Sequence, residues 1–228
     1  MTPRLQARNV VAIDGPAASG KSTVAHEVAR KLGFAYVNSG AMYRAATWLV
    51  LEKGVNLEDE AAITRLLAST PIDCDLQGLE SRIRVDGVDP SPHLRDQNVN
   101  EGVSLVSSVP RVREVLVEKM RAYNIDNDVV MEGRDIGSVV FPHTPYKFYI
   151  DASPDIRSRR RSAQGQTDRI AARDRADSSR HASPLKIAPD AHVIDSSHVS
   201  IEAVVSEILE QLKAKGLEAA TRPTSPVH

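Results

Sequence analysis

The sequence predicts a three-layer α/β fold in which a five-stranded parallel sheet is covered on both faces by helices. Three observations carry that expectation: five short apolar runs with helical periodicity between them, a glycine-bounded loop between the first run and the first helix, and helical stripes in the second half of the chain. Alternating strands and helices imply crossover connections, which make strands parallel and bury both faces of the sheet. With 228 residues, 41% of them hydrophobic and 26% charged, the chain can bury such a core as one domain with small insertions.

The first strand is expected at residues 10–13, followed by GPAASGKS at 15–22 and a helix over 22–32. Gly15, Gly20, Lys21 and Ser22 meet the pattern G-x-x-x-x-G-K-[ST], and a strand before with a helix after is the context in which that pattern cradles a polyphosphate. Glycines let successive N–H groups face one concavity, and the helix N-terminus adds its positive end. Lys21 then bridges the outer phosphates and Ser22 ligates Mg²⁺. Small residues such as Pro16 and Ala17 leave those N–H groups open. A turn that binds nothing would have no need of a lysine there.

The second strand, 35–37, runs into NSGAMYRAA, where Ser39-Gly40 opens a helix carrying Tyr43 and Arg44 on its first turns. A helix N-terminus with an arginine one turn in suits an anion. Residues 71–88 break the strand–helix alternation: period-two apolarity around Gly78 predicts a small antiparallel hairpin, inserted as a subdomain. The single cysteine, Cys74, alternates there with Ile72 and Leu76 and reads as a small buried hydrophobe with no disulfide partner. Pro110 suits a first helical turn, after which Val112, Val115, Leu116, Met120 and Tyr123 form one face. The third strand, 129–131, exits through EGRDIG, which sets Arg134 and Asp135 at a carboxyl edge where open α/β sheets bind ligands. The fourth and fifth strands are expected at 147–150 and 192–194. Ile201, Val204, Val205, Ile208, Leu209 and Leu212 stripe the last helix, and a frayed tail is expected over 214–228.

Between the last two strands, residues 157–180 hold eight arginines against three aspartates. Arg173, Asp177 and Arg180 share one face if that stretch is helical, so a carboxylate would order two guanidiniums and leave donors for a phosphate. The competing reading, a nucleic-acid-associated ATPase with a basic patch, lacks interleaved aromatics and conflicts with a formal net charge of −1. No guanine-type Asn-Lys-x-Asp signature appears, the histidines show no metal-ligand spacing, and no apolar run suits a signal peptide or membrane span. A cytoplasmic setting without membrane partner is expected.

The pieces IDGPAASGKST, NSGAMYR, VPRVREVL, EGRDIGSVVFP, RDRADSSRHASPL and VIDSS together resemble the bacterial cytidylate kinases, members of the nucleoside monophosphate kinase group of P-loop kinases, over residues 10–205 or so. The resemblance implies a core (about 8–38, 108–156 and 185–213), an enlarged monophosphate-binding subdomain (about 39–107) containing the hairpin, and a short mobile lid (about 157–184). It implies transfer of the γ-phosphoryl group of ATP to CMP or dCMP with Mg²⁺, by a monomer whose partners are nucleotides and not nucleic acid. ATP would be held by Gly15, Pro16, Ala17, Ala18, Ser19, Gly20, Lys21, Ser22, Thr23 and Arg161. Ser39, Tyr43, Arg44 and Arg134 would hold the acceptor monophosphate, Ser104, Arg113 and Asp135 would read cytosine, and Arg173, Asp177 and Arg180 would meet ribose, base or phosphate from the lid side. Lys21, Arg134 and Arg180 form the expected catalytic set, and Arg157, Arg161 and Arg173 are further candidates to neutralise the moving phosphoryl.

An arginine with a carboxylate suits cytosine, whose O2 and N3 accept and whose N4 donates. Uracil reverses the last two, a mismatch worth ~10²-fold or more in a dry site. Two departures from the family pattern stand out: Asn38 where aspartate is usual before Ser-Gly, and only eleven residues between Arg161 and Arg173. The nearest rival is a small P-loop kinase for another acceptor, either a different monophosphate or a sugar acid. A sugar acid gives the Ser104, Arg113 and Asp135 set no obvious use.

Overall fold

The computed structural model describes residues 8–163 and 185–217. In chain order these form β1 (Val10–Asp14), α1 (Lys21–Leu32), β2 (Ala35–Asn38), α2 (Ser39–Glu52), α3 (Glu60–Ser69), β3 (Ile72–Gln77) and β4 (Glu80–Val85). After them come α4 (Gln97–Val106), α5 (Pro110–Asp126), β5 (Val129–Gly133), β6 (Tyr146–Asp151), α6 (Pro154–Ala163), β7 (His192–Asp195) and α7 (Ile201–Ala214).

Every residue of β1 and of β5 is buried, as expected of strands covered on both faces. Side chains alternate across the sheet, so Val10 and Ala12 join one core with α2, α3 and α5, while Val11 and Ile13 join a second with α1 and α7. Local chemistry ends the helices where the chain must turn back. Gly33 takes a left-handed conformation (φ 71°) after α1, and the side chains of Asn38, Asp59 and Ser200 cap α2, α3 and α7.

The sheet has seven strands, in the order β3-β4-β2-β5-β1-β6-β7. This corrects the expected count of five. The five parallel strands are present, but the hairpin is an extension of the same sheet. β4 runs parallel to β2 with Tyr36 opposite Glu80, and the Tyr36 N–H donates to the Leu79 carbonyl at 2.7 Å. β3 then pairs antiparallel with β4. Without the hairpin, β2 would be an open edge, and the hairpin buries Ile72, Ile83 and Val85 in the core that β2 already serves. Cys74 on β3 is partly buried against that core, and burial pushes its thiol up to about 11.

Two boundaries also move. α1 begins at Lys21, and the packed chain runs beyond the expected start of the tail: Gly216 (φ 82°) closes α7, and Leu217, 5% exposed, donates its N–H to the Leu212 carbonyl at 2.9 Å. This glycine-then-apolar C-terminal motif depends on two residues and leaves no periodic trace. Because β1 lies between β5 and β6, the topology switches direction beside it. The segments leaving β1, β2 and β5 therefore gather at one carboxyl edge.

Candidate active site

The segment leaving β1 is shaped by Gly15 (φ 155°), Ala18 (φ 58°) and Gly20 (φ 91°). A Cβ on Gly15 would lie 2.1 Å from the Ile150 carbonyl oxygen, so only glycine fits against β6. The loop's carbonyls are held by cationic or hydroxyl donors. Arg134 donates to the Gly15 oxygen at 2.8 Å, Lys21 Nζ to the Pro16 oxygen at 3.1 Å, and Arg157 to the Ala17 oxygen at 3.3 Å. Arg160 and Ser196 Oγ both donate to the Ser19 oxygen, at 3.2 and 2.7 Å. In a planar peptide the N–H points opposite its carbonyl, so holding the Ala17 and Ser19 carbonyls from Arg157, Arg160 and Ser196 turns the amides of Ala18 and Gly20 toward the lobe they line.

Glu132, the penultimate residue of β5, links this loop to α2. It is 4% exposed; its Oε1 accepts from Ser22 Oγ at 2.8 Å, its Oε2 lies 3.9 Å from Lys21 Nζ, and its carbonyl accepts from Ser39 Oγ at 2.7 Å. Asn38 Oδ1 accepts from the Ala41 N–H at 2.9 Å, so the amide keeps the cap that an aspartate would supply. Arg44, one turn further on, donates no hydrogen bond among the described residues. Burial, followed by the charges of Arg134, Arg161 and Arg95, lowers its guanidinium to about 10 against the pull of Glu132.

Arg113 and Asp135, 5% and 4% exposed, form a buried ion pair. Arg113 also donates to the Ser107 carbonyl at 3.3 Å and lies 5.3 Å from the centre of the Tyr43 ring. The turn that presents Arg134 and Asp135 is clasped from below. Both carboxylate oxygens of Asp14 accept backbone N–H groups, from Ile136 and Gly137, each at 2.8 Å. Burial raises the Asp14 carboxyl to about 7, although those two donors and Lys21 oppose the rise.

Together these parts enclose two adjoining lobes. One is lined by Ser39, Tyr43, Arg44, Arg113, Arg134 and Asp135, six of the seven residues expected from the core and insert to hold or read the acceptor. The other, a cavity of about 300 Å³, is lined by Ala17, Ala18, Gly20, Thr23 and Arg161 among others. Lys21, Ser22, Arg44 and Arg134 belong to both walls.

Two expected residues lie apart from the lobe walls. Ser104, on α4, is not among the residues that line either lobe, whereas Ser107, just after α4, is in the acceptor-lobe wall; the expected base contact of Ser104 stands as a proposal. Arg157 faces away from the lobes, because its guanidinium donates to the carbonyls of Ala152 and Ala17 behind the loop. Gly15, Pro16 and Ser19 shape the loop from outside the lobe walls. Arg173, Asp177 and Arg180 lie outside the described residues. The sequence reading missed Asp14, Glu132, Ser107, Arg95 and Asn100. For the first two the available signal was a carboxylate ending an otherwise apolar strand.

Comparison with known proteins identifies the family. The family model described as cytidylate kinase matches residues 11–214. A cytidylate kinase of Pelotomaculum thermopropionicum is 44% identical, with 90% of this chain and 96% of the relative covered. The cytidylate kinases of Geobacillus kaustophilus and Caldanaerobacter subterraneus are each 41% identical, over 90% and 89% of this chain and 97% and 94% of their own. A match of this length places the phosphate loop, the insert and the final helix inside one shared sequence pattern, and the chain belongs to the cytidylate kinase family.

Proposed function

We infer that the protein transfers the γ-phosphoryl group of ATP to CMP or dCMP, giving ADP and CDP or dCDP. The observation that carries the reading is Arg44. This half-buried guanidinium, with no hydrogen-bond acceptor among the described residues, stands in the wall common to both lobes beside Arg134. Burying such a cation is costly unless an anion completes the site. Phosphates on both sides of it meet that need.

The acceptor is already an anionic phosphate oxygen, so neither a nucleophilic side chain nor a strong general base is required, and catalysis reduces to positioning and charge neutralisation. The loop amides and Lys21 hold the donor phosphates. Ser39, Tyr43 and Arg44 hold the acceptor phosphate, and Arg134 reaches the group in flight between them. Asp135 and Arg113 present a carboxylate and a guanidinium to the cytosine edge, exchanging part of their mutual pairing for the base. Arg161, on the donor wall, completes the ATP contacts, and the lid residues Arg173, Asp177 and Arg180 are assigned to ribose, base or phosphate of the acceptor.

Ser22 Oγ and the Glu132 carboxylate, 2.8 Å apart, offer hard oxygen donors beside the donor lobe. No group of three His, Cys, Asp or Glu residues able to hold a metal occurs among the described residues. That suits Mg²⁺, which takes few protein oxygens and completes its shell with phosphate and water. When bound there, held by Ser22 and Glu132, it would supply positive charge that neutralises the donor phosphates. No described helix is long and apolar enough to cross a membrane. From the family pattern we assign a cytoplasmic monomer whose partners are nucleotides.

The test is a coupled assay with ATP and Mg²⁺ against CMP, dCMP, UMP and AMP. Turnover should be highest with CMP or dCMP. Equal turnover on UMP, or none on any cytidine monophosphate, would refute the reading.

A further inference from the structure

Arg95 sits in the insert, between a short turn of 3-10 helix at Ser91–His93 and α4. Its backbone is fixed. Asn100, 9% exposed, donates its side-chain amide to the carbonyls of Arg95 (2.9 Å) and Asp96 (3.1 Å), and the Asp96 N–H donates to the His93 carbonyl at 3.0 Å. Its side chain has no such anchor: among the described residues the guanidinium makes no hydrogen bond and no ion pair. It nevertheless lines the donor lobe, whose wall also holds Ala17, Ala18, Gly20 and Arg161, and takes no part in the acceptor-lobe wall.

The charge balance of the cleft makes that position informative. Lys21, Arg44, Arg95, Arg134 and Arg161 line the lobes, while Asp135 is taken up by Arg113 and Glu132 is the remaining carboxylate of the walls. An exposed arginine free to choose its surroundings would turn from four other cations toward water. The clamp from Asn100 fixes the Arg95 backbone at the rim of the cleft, within reach of a polyanion that would balance the guanidinium.

We propose that Arg95 is a ligand of the transferring phosphoryl group, supplied by the insert. As the acceptor phosphate oxygen bonds to the γ-phosphorus and the bond from that phosphorus to the β,γ-bridging oxygen breaks, Arg95 donates to equatorial oxygens from the side opposite the loop. No proton leaves it, and the bridging electron pair departs with ADP. The inference rests on the phosphotransfer reading above. It adds a consequence: α4 carries Val103 of the acceptor wall and begins two residues after Arg95, so the element that meets the acceptor also sets the arginine that meets the donor.

The test uses the full-length protein and its Arg95→Met and Arg95→Lys variants. Met keeps the apolar stem and removes the charge. With ATP, Mg²⁺ and CMP, Arg95→Met should lose about 10²-fold in kcat, the range for deleting one donor to a developing charge, and Arg95→Lys should recover part of it. Calorimetric Kd values for CMP and for a non-hydrolysable ATP analogue should stay within about twofold, since the contact strengthens as charge develops. Binding of ADP with aluminium fluoride and CMP should weaken about as much as kcat falls. An unchanged kcat in Arg95→Met would overturn the proposal, as would a kcat loss accompanied by an equal loss of CMP affinity and a collapsed melting temperature, which would make Arg95 structural. If the unmodified protein itself fails to turn over CMP or dCMP, the phosphotransfer reading fails first.

Discussion

Asp14→Asn separates what the Asp14 carboxylate costs the fold from what it does for the site. Asp14 is buried beneath the turn that carries Arg134 and Asp135, and its carboxyl is raised from 3.8 to about 7. Between those values the folded protein holds a proton that the unfolded chain has released, so this group's contribution to stability falls as pH rises through the window. The rise corresponds to roughly 4 kcal/mol, present below pH 4 and lost by about pH 7. Asparagine copies the protonated carboxyl: it keeps one acceptor oxygen for the N–H groups of Ile136 and Gly137 and places a donor where the second oxygen stood.

The variant should therefore begin about 1–3 kcal/mol below the wild type near pH 4.5, with one backbone N–H left without its acceptor, and gain a few kcal/mol on it by pH 8, in denaturant titrations across that range. Turnover should move the other way. The neutral side chain no longer holds both backbone donors, the turn relaxes, and a misplacement of about 1 Å in Arg134 can cost up to ~10²-fold in kcat/KM. A stability difference that stays flat with pH would refute the burial argument. One that grows in favour of the wild type would show that the two backbone donors and Lys21 dominate the group.

Three other perturbations test separate parts of the cleft. Lys21→Ala should cut turnover by ~10²-fold or more while the melting temperature shifts only a few degrees, and near-normal turnover would remove the lysine from the donor site. Asp135→Ala should erode the ratio of kcat/KM for CMP over UMP by up to ~10²-fold; it also strands the buried Arg113, so a stability loss of about 3–5 kcal/mol should accompany it, and an unchanged ratio would mean that the base is read elsewhere. Arg160→Met removes donors to the carbonyls of Ser19 and Ser196, so KM for ATP should rise about tenfold with KM for CMP unmoved. Equal changes in both constants would undo the bracing account of the loop.

How much of this was legible in the sequence depended on how local each feature is. The phosphate loop was, because eight consecutive residues between a strand and a helix carry the whole device. The five parallel strands were, because burial on both faces leaves apolar runs. The membership of β4 in the sheet was not, since it rests on a pairing of Tyr36 with the Leu79–Glu80 turn across more than forty residues of chain. The arginines of α6 look alike in sequence. At one-turn spacing, Arg157 and Arg160 reach back to the loop carbonyls while Arg161 lines the cleft, and only the contacts of α6 with the loop and with Ser196 separate them.

Glu132 accounts for the tolerance of Asn38. At the start of α2 a family member ordinarily offers a carboxylate, and that group could serve two purposes, capping the helix and placing negative charge near Arg44. Here the amide oxygen of Asn38 performs the first, bonded to the Ala41 N–H. For the second, the Glu132 carboxylate already attracts Arg44, and it is also bound to Ser22 and close to Lys21. With no second carboxylate at position 38, less of the charge of Arg44 is neutralised by the protein. More of it is left for the phosphate that the cleft receives, so the departure removes a competitor of the ligand while the helix start stays intact.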